Sequence, residues 1–296
     1  MNKSPGQMTF FAPKTEWVAP TEYPDLRAYD TVAIDLETRD PNLRELGSGW
    51  ARQDGFIIGI AVAVADNQWY FPIRHEIGPN LDPRRTLRWV ASITGDPAKQ
   101  LIFHNAQYDV GWLLAESVKV RGQIRDTMVV APLLDENRFS YSLNNLSRDY
   151  LADIKSEKDL REAAAEFGVD AKSEMFKLPA SFAGAYAEQD AALTLRLWNY
   201  FQSLIVQEDI ADVVDLEHKV LATVIPMRQQ GVRIDLDRAE YLKGYFHQQE
   251  QQLLAQLHKE TGKHVEIWAA ASIADAFDAI DLPYPRTEKT DAPSCT

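Results

Sequence analysis

Residues 31–38, TVAIDLET, decide the fold of this chain. β-Branched and apolar residues run from Thr31 to Leu36, which is the pattern of a buried β-strand. Side chains alternate between the two faces of a strand, so Asp35 and Glu37 point to the same side of the sheet. Two carboxylates therefore converge where the first predicted strand ends, although an Asp-x-Glu pair taken alone is also common at solvated strand ends.

The segments that follow this strand predict a mixed α/β sheet. Two apolar stretches are separated by Asp66-Asn67, a plausible hairpin turn, so the first three strands are expected to form an antiparallel meander. Farther along, strand and helix patterns alternate, as they do in α/β proteins. The predicted elements are strands at Thr31 to Leu36, Phe56 to Ala65, Gln68 to Phe71 and Leu101 to Phe103, and helices at Pro83 to Ala91 and Gln107 to Glu116.

The carboxyl-terminal half is predicted to be helical. Apolar residues recur at helical spacing from Ser142 onward. Two further long helical stretches, residues 208–230 and 237–261, are joined by a short segment that starts with a glycine, and Asp235 or Asp237 can cap the second of them. We place a boundary near residue 206, which gives an N-terminal arm at residues 1–27, a main domain at residues 28–205 and a helical segment at residues 206–296.

The composition predicts a soluble, cytoplasmic globular protein without a membrane span. The chain has 296 residues, of which 45% are apolar, enough for a hydrophobic core. Its longest apolar run, residues 56–65, is far shorter than the ~20 residues of a membrane-spanning helix, and residues 1–17 lack the apolar core of a signal peptide. The one cysteine, Cys295, cannot form an internal disulfide, which fits a reducing compartment.

Polar residues also follow the strand at Leu101 to Phe103. His104 to Asp109, HNAQYD, place a carboxylate and polar side chains at a strand-to-helix junction, where functional sites are common. Helix capping is an equally good interpretation of Asn105 and Asp109. We interpret His104 as a structural neighbour and predict that Asp126-Thr127 caps a helix.

A third group lies in a stretch of strong helix formers. Tyr186 and Asp190 are four residues apart, so the phenol and the carboxylate lie on one helix face, one turn apart. The alternative interpretation is an aromatic core contact beside an exposed acid.

Taken in order, these three groups resemble the motifs of the proofreading 3'-5' exonucleases of the DEDD superfamily, tyrosine subtype. Residues 35–38 match the first motif, residues 105–109 the second and residues 186–190 the third. In the histidine subtype a histidine stands five residues before the last aspartate, and that position here is Ala185. The resemblance implies an RNase H-like mixed five-stranded sheet flanked by helices, and it covers about residues 28–205.

The resemblance also implies a metal site that uses two divalent cations, Mg²⁺ or Mn²⁺. It makes Asp35 the bridge between both cations, Glu37 and Asp190 the ligands of the first, and Asp109 a ligand of the second. Tyr186 then orients the nucleophile. Hard oxygen ligands without an accompanying Cys or His cluster agree with this choice of metal.

By the same resemblance, Thr38, Asn105 and Tyr108 contact the terminal nucleotide of a single-stranded or frayed DNA 3' end. Helix packing is the alternative interpretation of Tyr108. The formal net charge of −13 argues against strong attraction to phosphate, but carboxylates that hold cations invert the local field. DNA affinity is therefore expected to be weak without metal or a partner.

Outside the motifs, the chain is similar to phage-encoded family A DNA polymerases. Residues 35–65 look like their exonuclease domain, residues 217–236 look like the start of the thumb, and residues 284–294 look like the link into the palm. The resemblance implies a partial thumb at residues 206–296, a partner polypeptide with palm and fingers, no DNA synthesis by this chain alone, and the cytoplasm of a bacterial host as the location.

Two alternatives remain beside a DNA-proofreading exonuclease. An RNA-trimming exonuclease of the same superfamily would share the carboxylates, and the thumb-like segment argues against it. A non-catalytic polymerase subunit could use the fold as a docking platform, and the intact motifs argue against that.

Overall fold

The computed structural model describes residues 15–153 and 157–294. Contacts divide the chain into two compact units, with the division after Gly231. The boundary predicted near residue 206 falls inside the first unit, and the assignment of domains stays a prediction. Most of the predicted N-terminal arm, residues 1–14, and Cys295 lie outside the described residues.

The first unit is built on a mixed five-stranded sheet, which confirms the predicted fold class. The order is β3-β2-β1-β4-β5, in which β1 pairs antiparallel with β2 and parallel with β4. β2 pairs antiparallel with β3, and β4 pairs parallel with β5. The strands are β1 Thr31–Arg39, β2 Phe56–Val64, β3 Asn67–Pro72, β4 Gln100–Phe103 and β5 Gln123–Asp126.

Two details of the sheet differ from the sequence-based expectation. Val64 pairs with Asn67, so the hairpin turn is Ala65-Asp66 and lies one residue earlier than predicted. The fifth strand, β5, was implied by the resemblance, but its position was not predicted, because its four residues QIRD contain only one apolar residue, Ile124.

Helices of the first unit cover both faces of the sheet. The second unit contains two further helices. In the first unit they are α1 Leu43–Leu46, α2 Pro83–Thr94, α3 Ala106–Ala115, α4 Thr127–Leu134, α5 Leu143–Leu151, α6 Lys158–Phe167, α7 Ala180–Gln207 and α8 Ala211–Gln230. In the second unit they are α9 Leu236–Thr261 and α10 Ala270–Asp278. Of the two predicted caps of α9, Asp235 is the one that accepts a hydrogen bond, from the Arg238 N–H.

The two faces of the sheet carry separate hydrophobic cores. Ala33 of β1 belongs to the core that includes α5 and α7, whereas Ile34 and Leu36 belong to the core that includes α2 and α3. Because side chains alternate along a strand, Asp35 and Glu37 lie on the face covered by α7. No helix of the described residues is both long enough and apolar enough to cross a membrane.

Gly59 of β2 leaves room for Tyr70 of β3, whose ring is fully buried. A methyl group added at Gly59 would lie 2.0 Å from the Tyr70 hydroxyl oxygen. We expect Gly59→Ala to lower the free energy of unfolding by about 1–3 kcal/mol, because overpacking forces the buried ring out of its position. Urea denaturation measures the change.

Gly244 in α9 is the matched control, because no atom lies within 4 Å of a methyl group added there. Gly244→Ala should be neutral or stabilising, since alanine is about 1 kcal/mol better than glycine in a helix. Equal stabilities of the Gly59→Ala variant and the wild type would show that the Tyr70 ring is not held against β2.

Candidate functional site

Three carboxylates from two distant parts of the chain meet on the α7 face of the sheet. Asp35 and Glu37 extend from β1, and Asp190 extends from α7, which packs across that strand. One oxygen from each of the three lies within 4.8 Å of the others. Three hard oxygen donors at this separation fit a divalent cation such as Mg²⁺ or Mn²⁺.

Asp190 is 8% exposed. The alternative interpretation of Tyr186 and Asp190, a core tyrosine beside an exposed acid, requires an exposed Asp190 and does not fit this burial. Like charges crowded at this distance repel one another, and a cation between them removes that cost. The arrangement of the three carboxylates therefore matches the chemistry of a cation site.

Asp109 approaches the same place from the other side of β1. β1 pairs with β4 only over Thr31–Ala33, so farther along its backbone is open at that edge. The Leu36 N–H donates to Asp109 Oδ1 at 3.1 Å, and Asp109 is 4% exposed. Burial, and then the charge of Asp35, raise the pKa of Asp109 well above its usual range. Asp109 is outside the group of three, but it lies close enough to Asp35 for the charge of Asp35 to raise its pKa.

Tyr186 lies one helical turn before Asp190 on α7. Burial raises the pKa of its phenol, and the negative charges of Glu37, Asp190 and Asp35 raise it further. The phenol is therefore protonated at neutral pH and can donate a hydrogen bond into the space beside the carboxylates, while it cannot serve as a base there.

The three predicted substrate residues line one cavity of about 690 Å³. Glu37 lies in the same wall as Thr38, Asn105 and Tyr108. The Thr38 and Tyr108 hydroxyl oxygens are 2.6 Å apart, and the Tyr108 hydroxyl donates to Asp40 at 3.3 Å. The phenol end of Tyr108 is thus fixed, and its half-buried ring borders the cavity instead of packing only within its helix.

Asn105 adopts a left-handed conformation with φ of 78° at the start of α3, and its side chain makes no capping hydrogen bond there. The buried Asp126 carboxylate accepts from the Asn105 N–H at 3.0 Å and from the Ala106 N–H at 2.7 Å. Asp126 also accepts from the Met128 N–H, which confirms that it caps a helix, α4. The cap it provides for α3 was not predicted, because no spacing in the sequence shows that the two strand ends lie side by side.

A buried polar pair behind the carboxylates also has no signal in the sequence. The Tyr70 hydroxyl and His75 Nε2 are 2.7 Å apart, and His75 Nδ1 is 3.0 Å from the Leu178 carbonyl oxygen. A carbonyl only accepts, so Nδ1 carries the proton, and Nε2 of the neutral ring accepts from Tyr70. Burial, and then the charges of Glu37 and Asp35, raise the pKa of Tyr70. Ala61 of β2 pairs with both Asp35 and Tyr70, so Tyr70 lies on the same face of the sheet as Asp35.

Glu188, between Tyr186 and Asp190 in sequence, anchors α7. Its Oε1 accepts from the Trp17 indole N–H at 2.8 Å and from the Tyr70 N–H at 3.0 Å. The last part of the predicted N-terminal arm therefore holds the helix that carries Asp190.

Acid should destabilise the protein through His75. Burial lowers the pKa of His75 from 6.5 to about 4, so the unfolded chain binds this proton more tightly than the folded chain. The stability from the neutral ring is complete above pH 6.5 and is lost as the pH falls toward 4. We expect the difference in unfolding free energy between wild type and His75→Gln to shrink by about 3 kcal/mol over that interval. Urea titrations at several pH values measure this, and a difference that does not change with pH would contradict it.

Residues 23–206 match the 3'-5' exonuclease family of type A DNA polymerases. A DNA-directed DNA polymerase of Pseudomonas phage M6 is 35% identical over 294 residues, which are 95% of this chain and 44% of the phage protein. The chain therefore spans less than half the length of this relative.

Two solved structures share the fold at low sequence identity. The POL domain of Pol1 from M. smegmatis, in complex with a DNA primer-template and dNTP, superimposes with a TM-score of 0.65 at 18% identity, covering 91% of this chain and 41% of that one. NrnC of Brucella melitensis with bound Mg²⁺ gives a TM-score of 0.51 at 17% identity, covering 72% of this chain and 94% of that one.

Proposed function

This chain belongs to the 3'-5' exonuclease family of type A DNA polymerases. We therefore propose that it removes nucleotides from single-stranded or frayed DNA 3' ends with two divalent cations. The observation that carries the proposal is the convergence of Asp35, Glu37 and Asp190 within 4.8 Å, beside a phenol that stays protonated. Among the Asp, Glu, His and Cys side chains of the described residues, no other three bring ligand atoms this close together.

We assign the carboxylates by position. Asp35 belongs to the group of three, and its charge also raises the pKa of Asp109. We therefore propose that Asp35 would hold both cations, Glu37 and Asp190 the first, and Asp109 the second. When bound, such cations neutralise charge on the scissile phosphate and the leaving 3' oxygen and lower the pKa of water. Mg²⁺ and Mn²⁺ both suit the all-oxygen donor set.

The remaining residues position the substrate. In the hydrolysis a water oxygen forms a bond to phosphorus, the bond from phosphorus to the 3' oxygen breaks, and that oxygen takes a proton. The Tyr186 phenol donates a hydrogen bond that orients the water. Thr38, Asn105 and Tyr108 border the cavity next to Glu37, which is where the terminal nucleotide would lie, with its base against the Tyr108 ring.

We further propose that residues 28–205 form the exonuclease domain and that residues 206–296 form part of a polymerase thumb. The relative from a Pseudomonas phage is named a DNA polymerase and is more than twice as long as the matched region. The palm and fingers of a polymerase are the partner that we propose for this thumb segment, and the cytoplasm of a bacterial host is the location that we propose.

One assay tests the proposed reaction. A 5'-labelled single strand of DNA and its RNA counterpart are incubated with the protein in Mg²⁺, in Mn²⁺ and in chelator, and the shortened products are separated. We expect a ladder from DNA with either cation and none with chelator. Faster shortening of RNA would favour the RNA-trimming alternative, and intact strands in all lanes would favour the non-catalytic docking subunit.

A further inference from the structure

Helix α8 covers the edge of the sheet with a buried histidine. β5 is the last strand in the order, so its outer edge presents backbone groups that need partners. His218 of α8 is 4% exposed, and its Nε2 accepts from the Asp126 N–H at 2.8 Å. A backbone group of β5 is thus satisfied by a side chain from a helix that begins after the boundary predicted near residue 206.

The proton positions on His218 follow from its partner. A backbone N–H only donates, so Nε2 is unprotonated, and the proton of the neutral ring lies on Nδ1. Arg125 Nη1 is 3.3 Å from Nδ1, and because both nitrogens carry hydrogen in this tautomer, that contact is not a hydrogen bond. Burial, and then the charge of Arg125, lower the pKa of His218 to about 4, so the ring is neutral near pH 7. The Arg125 guanidinium forms an ion pair with Asp215 of α8 at 2.5 Å, which fixes α8 against β5 beside the histidine.

Asp126 connects this contact to the candidate site. Its backbone N–H is held by His218, and its carboxylate holds the N–H groups of Asn105 and Ala106. These two residues start the helix that carries Tyr108 and Asp109. Asn105 has a φ of 78°, in the left-handed region, which asparagine adopts more readily than most residues with a side chain. The two hydrogen bonds to the Asp126 carboxylate hold the turn in this conformation.

We propose that His218 is a positioning residue for the exonuclease reaction: through Asp126 it fixes the turn at Asn105 and thereby the placement of Tyr108 and Asp109. The inference rests on the proposed function. If the inference is correct, α8, which the sequence resemblance assigns to the thumb, supports the exonuclease site through His218.

Three variants test this. His218→Leu fills the buried position with an apolar side chain and leaves the Asp126 N–H without this acceptor. In His218→Gln the amide oxygen can accept that hydrogen bond, so this variant should rescue the function. His247→Leu makes the same chemical change at an exposed position of α9 and is the matched control. Amide hydrogen exchange of the metal-free full chain is measured together with kcat and KM on single-stranded DNA.

In His218→Leu we expect exchange at Asn105 and Ala106 to be about tenfold faster, while amides in β2 exchange as in the wild type. We expect kcat to fall about 10- to 100-fold, as it does when groups that orient metal ligands are removed. His218→Gln and His247→Leu should resemble the wild type in both measurements. If His218→Leu does not fold, Asp126→Asn is measured by the same criteria, because it replaces one of the two oxygens that hold the turn.

A folded His218→Leu or Asp126→Asn variant with wild-type exchange at Asn105 and Ala106 and wild-type kcat would overturn the inference. So would uniformly faster exchange with unchanged kcat, since that pattern shows a purely structural role. If the wild-type protein itself shortens no DNA, the proposed function fails, whereas the exchange data still report whether His218 holds the turn.

Discussion

Asp190→Asn is expected to lower the exonuclease kcat by about 1,000-fold or more. Loss of a ligand from the three-carboxylate group weakens cation binding, and cations contribute several kcal/mol to stabilising charge in the transition state of such reactions. At 1.36 kcal/mol per tenfold change in rate, about 4 kcal/mol corresponds to this loss. Single-turnover kinetics on 5'-labelled DNA in Mg²⁺ measure it.

The fold should survive this substitution. Removing one negative charge relieves repulsion with Asp35 and Glu37, so the free energy of unfolding in chelator should be unchanged or higher. Glu208→Gln, which removes an exposed carboxylate after the end of the same helix, is the matched control and should retain wild-type kcat. Near-wild-type activity in Asp190→Asn, or loss of the folded state seen by circular dichroism, would show that Asp190 is a structural residue.

Tyr186→Phe should lower kcat by about 100-fold while leaving cation binding intact. The phenol is held protonated by burial and by the surrounding carboxylates, so it contributes a hydrogen bond to the nucleophile, and loss of one well-placed donor typically costs about 100- to 1,000-fold. Single-turnover rates measure the first effect, and Mn²⁺ titration followed by electron paramagnetic resonance measures the second.

Tyr200→Phe makes the same change at a more exposed position of α7. This control variant should have the wild-type kcat and the wild-type affinity for Mn²⁺. A weaker affinity for Mn²⁺ in Tyr186→Phe would mean that the phenol supports the carboxylates instead of the nucleophile. An unchanged kcat would mean that the ring serves only as a core contact.

Much of the fold was predictable because its central strands are long and regular. Residues 31–36 and 56–65 have the apolar patterns of buried strands, and each forms a strand of the central sheet. Alternation along β1 was enough to place Asp35 and Glu37 on one side, and a spacing of four was enough to place Tyr186 and Asp190 on one face of α7. These relations are local, so periodicity alone reveals them.

Relations between distant segments were not predictable from the pattern. β5 has only four residues and is defined by its pairing with β4, not by its own composition. The double role of Asp126 exists because Phe103 and Asp126 pair across two parallel strands, and that pairing brings the starts of α3 and α4 together. The contact of His218 with the Asp126 N–H, 92 residues away, has no counterpart in local spacing.

The structure also changes the expected role of Thr38. Its hydroxyl is 2.6 Å from the Tyr108 hydroxyl, so it orients the ring that borders the cavity in addition to facing the cavity itself. Tyr70 and His75 were not predicted, because a buried tyrosine in a strand has the same sequence pattern whether its hydroxyl is bonded to a buried histidine or not.

The proposed reaction requires that Asp35, Glu37 and Asp190 hold divalent cations between β1 and α7. Anomalous diffraction at the manganese absorption edge, from crystals of the wild-type protein soaked in Mn²⁺, tests this most directly. We predict an anomalous peak coordinated by all three carboxylates, and its loss in Asp190→Asn crystals. Ordered carboxylates with no peak among them, or a peak only at other residues, would contradict the account.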